Sequence, residues 1–323
     1  MSKSNPDFRH DGVTMKRVLA SIAILLSTLL SPAAGYAATC GCAGVPLLSA
    51  IDTSSTEPGD LYLNLTTENH IADDLVVGTK DIRDETDRKR SSLATTLSAS
   101  YGLTEHWAVS GLLAYIEHSR DVGSSFLPAQ HTSGLSDAVI LFRYTPIYQT
   151  PFSRHEVSVG FGARIPIGKD DAGGLISAAE DMQPSVGALG KILWSSYSYA
   201  FNQAATVQLG ITASYTDNDE ENDRRYTFGD ETSFSLGMSQ SMGSKFSYAA
   251  AVRYRRTQPD RRLGFDIPNT GGEWLDFVPA LQYSVTDKLN VALSGRLPIA
   301  RDLNGAIQFT TSYSYSVSFT YAL

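Results

Sequence analysis

The only thiols are Cys40 and Cys42, set one residue apart in Thr-Cys-Gly-Cys-Ala-Gly. Two adjacent thiolates suit a soft ion such as copper or zinc, but alone they leave the metal's coordination incomplete. A strained local disulfide or pairing between chains uses the same residues. Asp217, Asp219, Glu220, Glu221 and Asp223 crowd one segment. Hard cations favour several oxygens, yet no calcium-loop spacing is present, and the run reads as a solvated loop. His118 and His131 share a segment but are too few for a zinc site. Ser110 lies near His106, whereas a hydrolase also needs an orienting third group. No catalytic set emerges, and neither a cofactor nor a nucleic-acid partner is expected.

The remaining chemistry is a series of charges that fall among small polar residues: Asp137, Arg143, Glu156, Arg164, Arg253, Arg255, Asp276 and Arg296. Strands must position them. The last stretch shows how. From Gln308 to Leu323, Phe309, Thr311, Tyr313, Tyr315, Val317, Phe319, Tyr321 and Leu323 alternate with Ser, Thr, Gln and Ala. Successive strand side chains point to opposite faces, so one face is aromatic and the other small and polar. The run exceeds an ordinary globular strand and is ample for a tilted transmembrane one. Charged residues on the small-polar face point into a lumen. An Arg or Lys facing lipid at mid-depth would cost about 2–4 kcal/mol. The lumen charges are expected to form either a polar constriction that filters solutes or a network that ties strands together.

Charged residues make up 19% of the chain, below the usual quarter, and hydrophobic ones 42%. No stretch beyond the leader is long and apolar enough for a membrane-crossing helix. The leader itself has a basic start at Met15-Lys16-Arg17, an apolar core from Val18 to Leu30, and small residues at Gly35 and Ala37. It reads as a signal peptide cleaved after Ala37, with Met15 as the working start. Three segments follow: residues 1–37 as leader, 38–59 as a periplasmic lead-in or short plug, and 60–323 as a barrel. Neither cysteine has the preceding residues of a lipidation site.

Alternation predicts strands beginning at Leu61, Leu93, Trp107, Leu135, Glu156, Ser185, Thr206, Ser233, Phe246, Leu275 and Leu289, and the closing one. Long polar loops are expected at Asn69–Arg90, Ser119–Ser133, Gly168–Met182, Asp217–Asp223 and 257–272. The weakest pattern is the strand from Ser185 to Phe201, where Lys191 shares the parity of Leu193 and Tyr197; a bulge or an early end to the lipid face would repair it. Twelve is an even count, and short and long connections alternate, as in bacterial barrels with short periplasmic turns and long extracellular loops. Tyr101, Trp107, Tyr144, Tyr199, Phe246 and Tyr283 fit interfacial girdles. The expected fold is therefore all-β, a transmembrane antiparallel β-barrel of about 12 strands in the outer membrane of a Gram-negative bacterium. Outer-membrane lipids, lipopolysaccharide and the barrel-assembly machinery are its expected partners. Phe319, Tyr321 and Leu323 are the expected assembly signal, although such signals usually end in Phe.

Four stretches resemble one family. Ser133-Gly-Leu-Ser-Asp137 with Arg143-Tyr144, Arg164-Ile-Pro-Ile-Gly168, Gln183-Pro-Ser-Val-Gly187 and Arg296-Leu-Pro-Ile-Ala-Arg-Asp-Leu-Asn-Gly305 are similar to motifs of the phenol-degradation MetA-pathway outer-membrane proteins. The resemblance implies a barrel that moves small, often hydrophobic or aromatic compounds across the outer membrane. It carries over no catalytic residue. The expected function is a channel or facilitator for such compounds. A structural or adhesion barrel with a filled lumen is the alternative, and an outer-membrane hydrolase is a third class.

Overall fold

Alternating side chains give each strand a lipid face and a lumen face, and in lipid every backbone N–H and C=O must find a partner on a neighbouring strand. The computed structural model describes residues 57–121, 123, 129–150, 153–173 and 178–323. The expected leader and cleavage site and the Cys40–Cys42 pair lie outside these residues. The strands are β1 (Leu61–Gly78), β2 (Lys80–Ile82), β3 (Lys89–Gly102), β4 (Trp107–Asp121), β5 (Gln130–Leu135), β6 (Ala138–Ile147), β7 (His155–Ile165) and β8 (Gly190–Ala200). They continue as β9 (Val207–Asp217), β10 (Tyr226–Thr227), β11 (Glu231–Met242), β12 (Phe246–Thr257), β13 (Arg261–Arg262), β14 (Phe265–Asp266), β15 (Gly272–Ser284) and β16 (Leu289–Ala322).

Eleven of these form a ring in the order β1-β3-β4-β6-β7-β8-β9-β11-β12-β15-β16, and β16 pairs back onto β1. β16 has 34 residues, about 110 Å if straight, far taller than an apolar band of about 25 Å. It doubles back. Residues 290–303 pair with β15 and residues 308–322 with β1. Gly305 supplies a positive φ of 80° at the reversal, and Ser294 and Ser316 share a hydrogen bond across the two halves at 2.7 Å. The barrel thus has twelve staves. β2 extends β1, β5 pairs β4, and β10, β13 and β14 make a small separate sheet in the long loops.

The outer face is apolar: Leu97, Phe161, Leu193, Leu236, Leu281 and Leu293 are exposed there. Aromatic residues gather beside the short turns. Trp107 and Tyr144 pack as tilted rings with centroids 4.9 Å apart, and Phe246 and Tyr283 likewise at 4.7 Å. Lys191 needs no bulge, because it stands at the long-loop end of β8. There it is exposed and meets Asp217 at 3.3 Å, so the lipid face ends before it.

Three loop expectations are corrected. Most of Asn69–Arg90 is strand, since β1 runs to Gly78 and β3 starts at Lys89. β4 runs to Asp121 and β5 starts at Gln130, which shortens the loop expected from Ser119. These staves carry polar residues because they rise past the lipid, where the outer face meets water. The Gly168–Met182 segment does not simply project outward either: its end is a 3-10 turn, Glu180–Met182, with all three residues buried.

The seam rests on the chain end: Leu65 faces Phe319, Leu63 faces Tyr321 and Tyr62 faces Ala322, and Leu323 N donates to Leu61 O at 2.9 Å. Deleting Phe319–Leu323 should abolish the compact, fast-migrating form on unheated SDS gels, whereas Phe319→Ala should retain it. A deletion variant that still migrates as the compact form would contradict this account of closure.

Candidate functional site

The lumen is lined unequally. On β3, β4, β6 and the start of β8 the inward side chains are buried, among them Ser92, Ser98, Leu112, Ile116, Leu141, Ile192 and Trp194. Leu112, Val139, Leu141, Ile192 and Trp194 form one apolar cluster inside the barrel. β7 makes room for it with Gly160, where a Cβ would stand 3.4 Å from both Leu141 and Trp194 and 3.0 Å from Phe142 O. On β9, β11, β12, β15 and the first half of β16 many inward side chains are small and only half-buried: Thr212, Ser214, Ser235, Gly237, Ala249, Ala251, Val278, Ala280 and Ser294. The water-accessible side of the lumen follows this second wall.

Asp137 sits where β5 gives way to β6. A register step between Leu135, opposite Tyr115, and Val139, opposite Leu112, turns its carboxylate inward. It is 1% exposed. It accepts hydrogen bonds from Ser185 Oγ and from Val186 N at 3.0 Å, and Arg164 Nε lies 3.6 Å away. Arg164 also donates to Asn218 at 2.9 Å. Gly168 passes so close that a Cβ would lie 2.6 Å from Leu135 O and from Ser185 Cβ. Three of the four family-like motifs therefore meet at one junction, which anchors the end of the β7–β8 connection to the wall.

From that anchor the Glu180–Met182 turn crosses the long-loop mouth. On one side Arg90 of β3 donates to Asp181 O at 3.1 Å and to Asp181 Oδ2 at 3.2 Å. Arg120 of β4 donates to the same carboxylate, and Thr132 of β5 to Met182 O. On the other side Arg224 Nε lies 3.2 Å from Glu180 and Arg262 of β13 lies 3.9 Å from it. Arg224 also donates to Ala178 O at 2.9 Å. Burial pushes the Glu180 carboxyl up, against the pull of Arg224 and Arg262. Val186, Ala188, Tyr226 and Phe228 cluster with Ile267, joining the crossbar to the small sheet. Under that sheet Asp260 accepts from Tyr226 Oη at 2.6 Å and Gly229 N at 2.8 Å. Burial raises its carboxyl to about 6 despite these donors.

The remaining charges form a belt on the accessible wall. Arg253 faces Asp276 across β12 and β15 and donates to Ser233 at 3.1 Å. Glu231 lies 4.0 Å from Arg253 and 3.7 Å from Arg255. The Arg255 guanidinium stacks over Trp274 at 4.2 Å, a cation–π contact. Arg296 donates to Glu68 at 3.3 Å, and Glu68 also accepts from Ser314 at 3.0 Å and meets His70 at 3.2 Å. Nearer the short turns, Arg143 is buried and Glu156 half-buried. The sequence reading counts Asp137 and Arg164 among the lumen charges; they stand at the junction, apart from the belt. It missed Glu68, Arg90, Arg120, Thr132, Glu180, Asp181 and Glu231. Arg90 continues the inward parity of Ser92 and Ala94, the signal that the loop assignment hid.

Other groupings offer little chemistry. Asp217, Asp219 and Asp230 bring carboxylate oxygens within 4.8 Å, but Lys191 and the Asp219 backbone N–H already serve Asp217, and Tyr215 and the Asn218 backbone N–H serve Asp230. Glu220, Glu221 and Asp223 do not join. Ser110 bonds Ser100 at 2.8 Å and His106 bonds Thr145 O at 2.9 Å, so these two do not form a nucleophile–base pair.

A closed ring with an apolar outer wall, aromatic girdle and charged lumen defines an outer-membrane β-barrel. The model of the family described as putative MetA-pathway of phenol degradation matches residues 77–302, and the chain belongs to that family. An outer membrane channel from Pseudomonas putida F1 shares the fold with a TM-score of 0.68 and 13% identity, covering 84% of this chain and 100% of that one. Looser similarity links the chain to the NanC porin (TM-score 0.44, 12% identity, 80% of this chain and 98% of that one). The CymD monoaromatic hydrocarbon channel is similarly distant (TM-score 0.41, 10% identity, 83% and 89%). No protein of curated function matches the sequence.

Asp137→Ala should cost about 3–5 kcal/mol, the effect of removing one member of a buried ion pair, read by urea unfolding in micelles. The small sheet should respond to pH through Asp260. Its proton is bound more tightly in place than at the ordinary value of 3.8, so protonation favours the packed sheet. Its stability should be greatest below that value and fall as pH rises through about 6. Hydrogen exchange at residues 226–229, corrected for intrinsic rates, should be slower at about pH 4 than at about pH 7.

Proposed function

We propose that this barrel is an outer-membrane channel or facilitator for small compounds, with apolar and aromatic ones favoured. The observation that carries the reading is the accessible wall. Small side chains leave a path along β9 to β16, and the belt of Arg253, Arg255, Asp276, Glu231, Arg296 and Glu68 stands across it. Arginines and carboxylates nearly balance there, so the belt offers hydrogen bonding more than net charge. Ala249, Ala251, Val278 and Ala280 give an apolar body somewhere to lie. Membership in a family described by phenol degradation and the fold shared with an outer membrane channel support a channel over a hydrolase. The signal peptide, assembly through Phe319, Tyr321 and Leu323, and contact with lipopolysaccharide complete the proposal.

A structural or adhesion barrel is the second reading. It is favoured by the buried half of the lumen and the crossbar at the mouth. Uptake of aromatic compounds into cells making or lacking the protein separates the two. Uptake that is unchanged for every aromatic compound tested would overturn the channel reading. Within it, Arg253→Ala leaves Asp276 and Glu231 beside one fewer cation. The variant should shift the reversal potential in a salt gradient toward cation selectivity, by about tenfold in permeability ratio if about 1.4 kcal/mol is at stake. An unshifted potential would remove Arg253 from the path.

A further inference from the structure

The Glu180–Met182 crossbar is paired with arginines on both sides of the mouth, through Glu180 on one and Asp181 on the other, but apolar packing backs the attachment on the small-sheet side. Toward the small sheet Val186 and Ala188 pack with Tyr226, Phe228 and Ile267, Asn222 Nδ2 donates to Val186 O at 3.0 Å, and Glu180 pairs with Arg224 and Arg262. Crossbar and sheet therefore form one body. Toward β3, β4 and β5 the attachment is polar, and its negative charge is the Asp181 carboxylate; Arg90 also donates to Asp181 O at 3.1 Å. Asp181 takes hydrogen bonds from Arg90 and Arg120, and Thr132 reaches the next residue's carbonyl. Both arginines are buried. β3 and β4 lie across the ring from the loops that carry the small sheet. Release at Asp181 would open a gap along the β3–β5 wall without breaking the apolar body.

We propose that Asp181, held between Arg90 and Arg120, is a latch that keeps the mouth of the barrel closed, and that passage begins when this contact breaks. Two arginine charges share one carboxylate, so the charge balance of the contact depends on that carboxylate. With it gone, two buried cations repel each other. Exchanging all three groups for apolar ones removes the repulsion and can preserve packing. The prediction is asymmetric: one neutralisation opens the mouth, and full apolar replacement does not. Ion current reports it directly, so the outcome is independent of which solute the channel takes.

The test uses the full barrel reconstituted in planar bilayers, with the compact form on unheated SDS gels as proof of folding. Asp181→Asn should raise single-channel conductance or open time severalfold over the parent. The triple variant Arg90→Met, Arg120→Met, Asp181→Met should stay at the parent level. Conductance of folded Asp181→Asn equal to the parent would overturn the latch. A triple variant as open as Asp181→Asn would overturn it too, since any disturbance of the turn would then suffice. Failure of aromatic uptake with the conductance result intact would sink the proposed function and leave the latch standing.

Discussion

Closure of the ring is the constraint on which the rest depends. A strand edge left open in lipid strands its N–H and C=O groups without partners, each costing several kcal/mol. The chain closes by doubling β16 back at Gly305 and laying residues 308–322 along β1. Twelve staves enclose a narrow space, and the charged side chains inside must find partners. Most do so within the wall: Arg164 with Asn218, Arg296 with Glu68, Arg255 with Trp274.

That crowding separates two uses of buried charge. Asp137 and Arg164 hold a loop to the wall and stand away from any path. Arg253, Arg255 and Arg296 stand on the half-buried wall, along the proposed path. Their residue types are the same, and only the neighbours differ. Small residues on β9, β11 and β12 leave one group in reach of water, while Leu141, Ile192 and Trp194 close off the other wall.

Strand positions were legible in the sequence wherever lipid imposes alternation. Phe246 to Arg255 and Gln308 to Leu323 are read correctly because one face must be apolar. The signal fails where lipid ends. Asn69 to Gly78 is strand with polar residues on both faces, and no periodicity separates it from a loop. The site is less legible still. Asp137 can be placed inward by parity, but its partners Ser185 and Val186 lie 48 and 49 positions away. Asp181 shows no pattern of its own, because its inward position comes from a fold-back fixed by tertiary contacts. The short motifs shared with the family marked the junction without disclosing that they touch.

The seam has a further consequence for the chain's connectivity. Leu323 hydrogen-bonds to Leu61 at 2.9 Å, so the last residue of the barrel stands beside its first strand at the short-turn rim. The break between them is a matter of covalent order, not of architecture. A short linker could join these ends and new termini could be cut at an exposed turn such as that around Gly243, giving a circular permutant with the same ring of staves. Such a barrel would keep the same strand pairings while the aromatic closing stave moved into the interior of the chain, so the ring would be specified by pairing and not by the order in which its staves are joined.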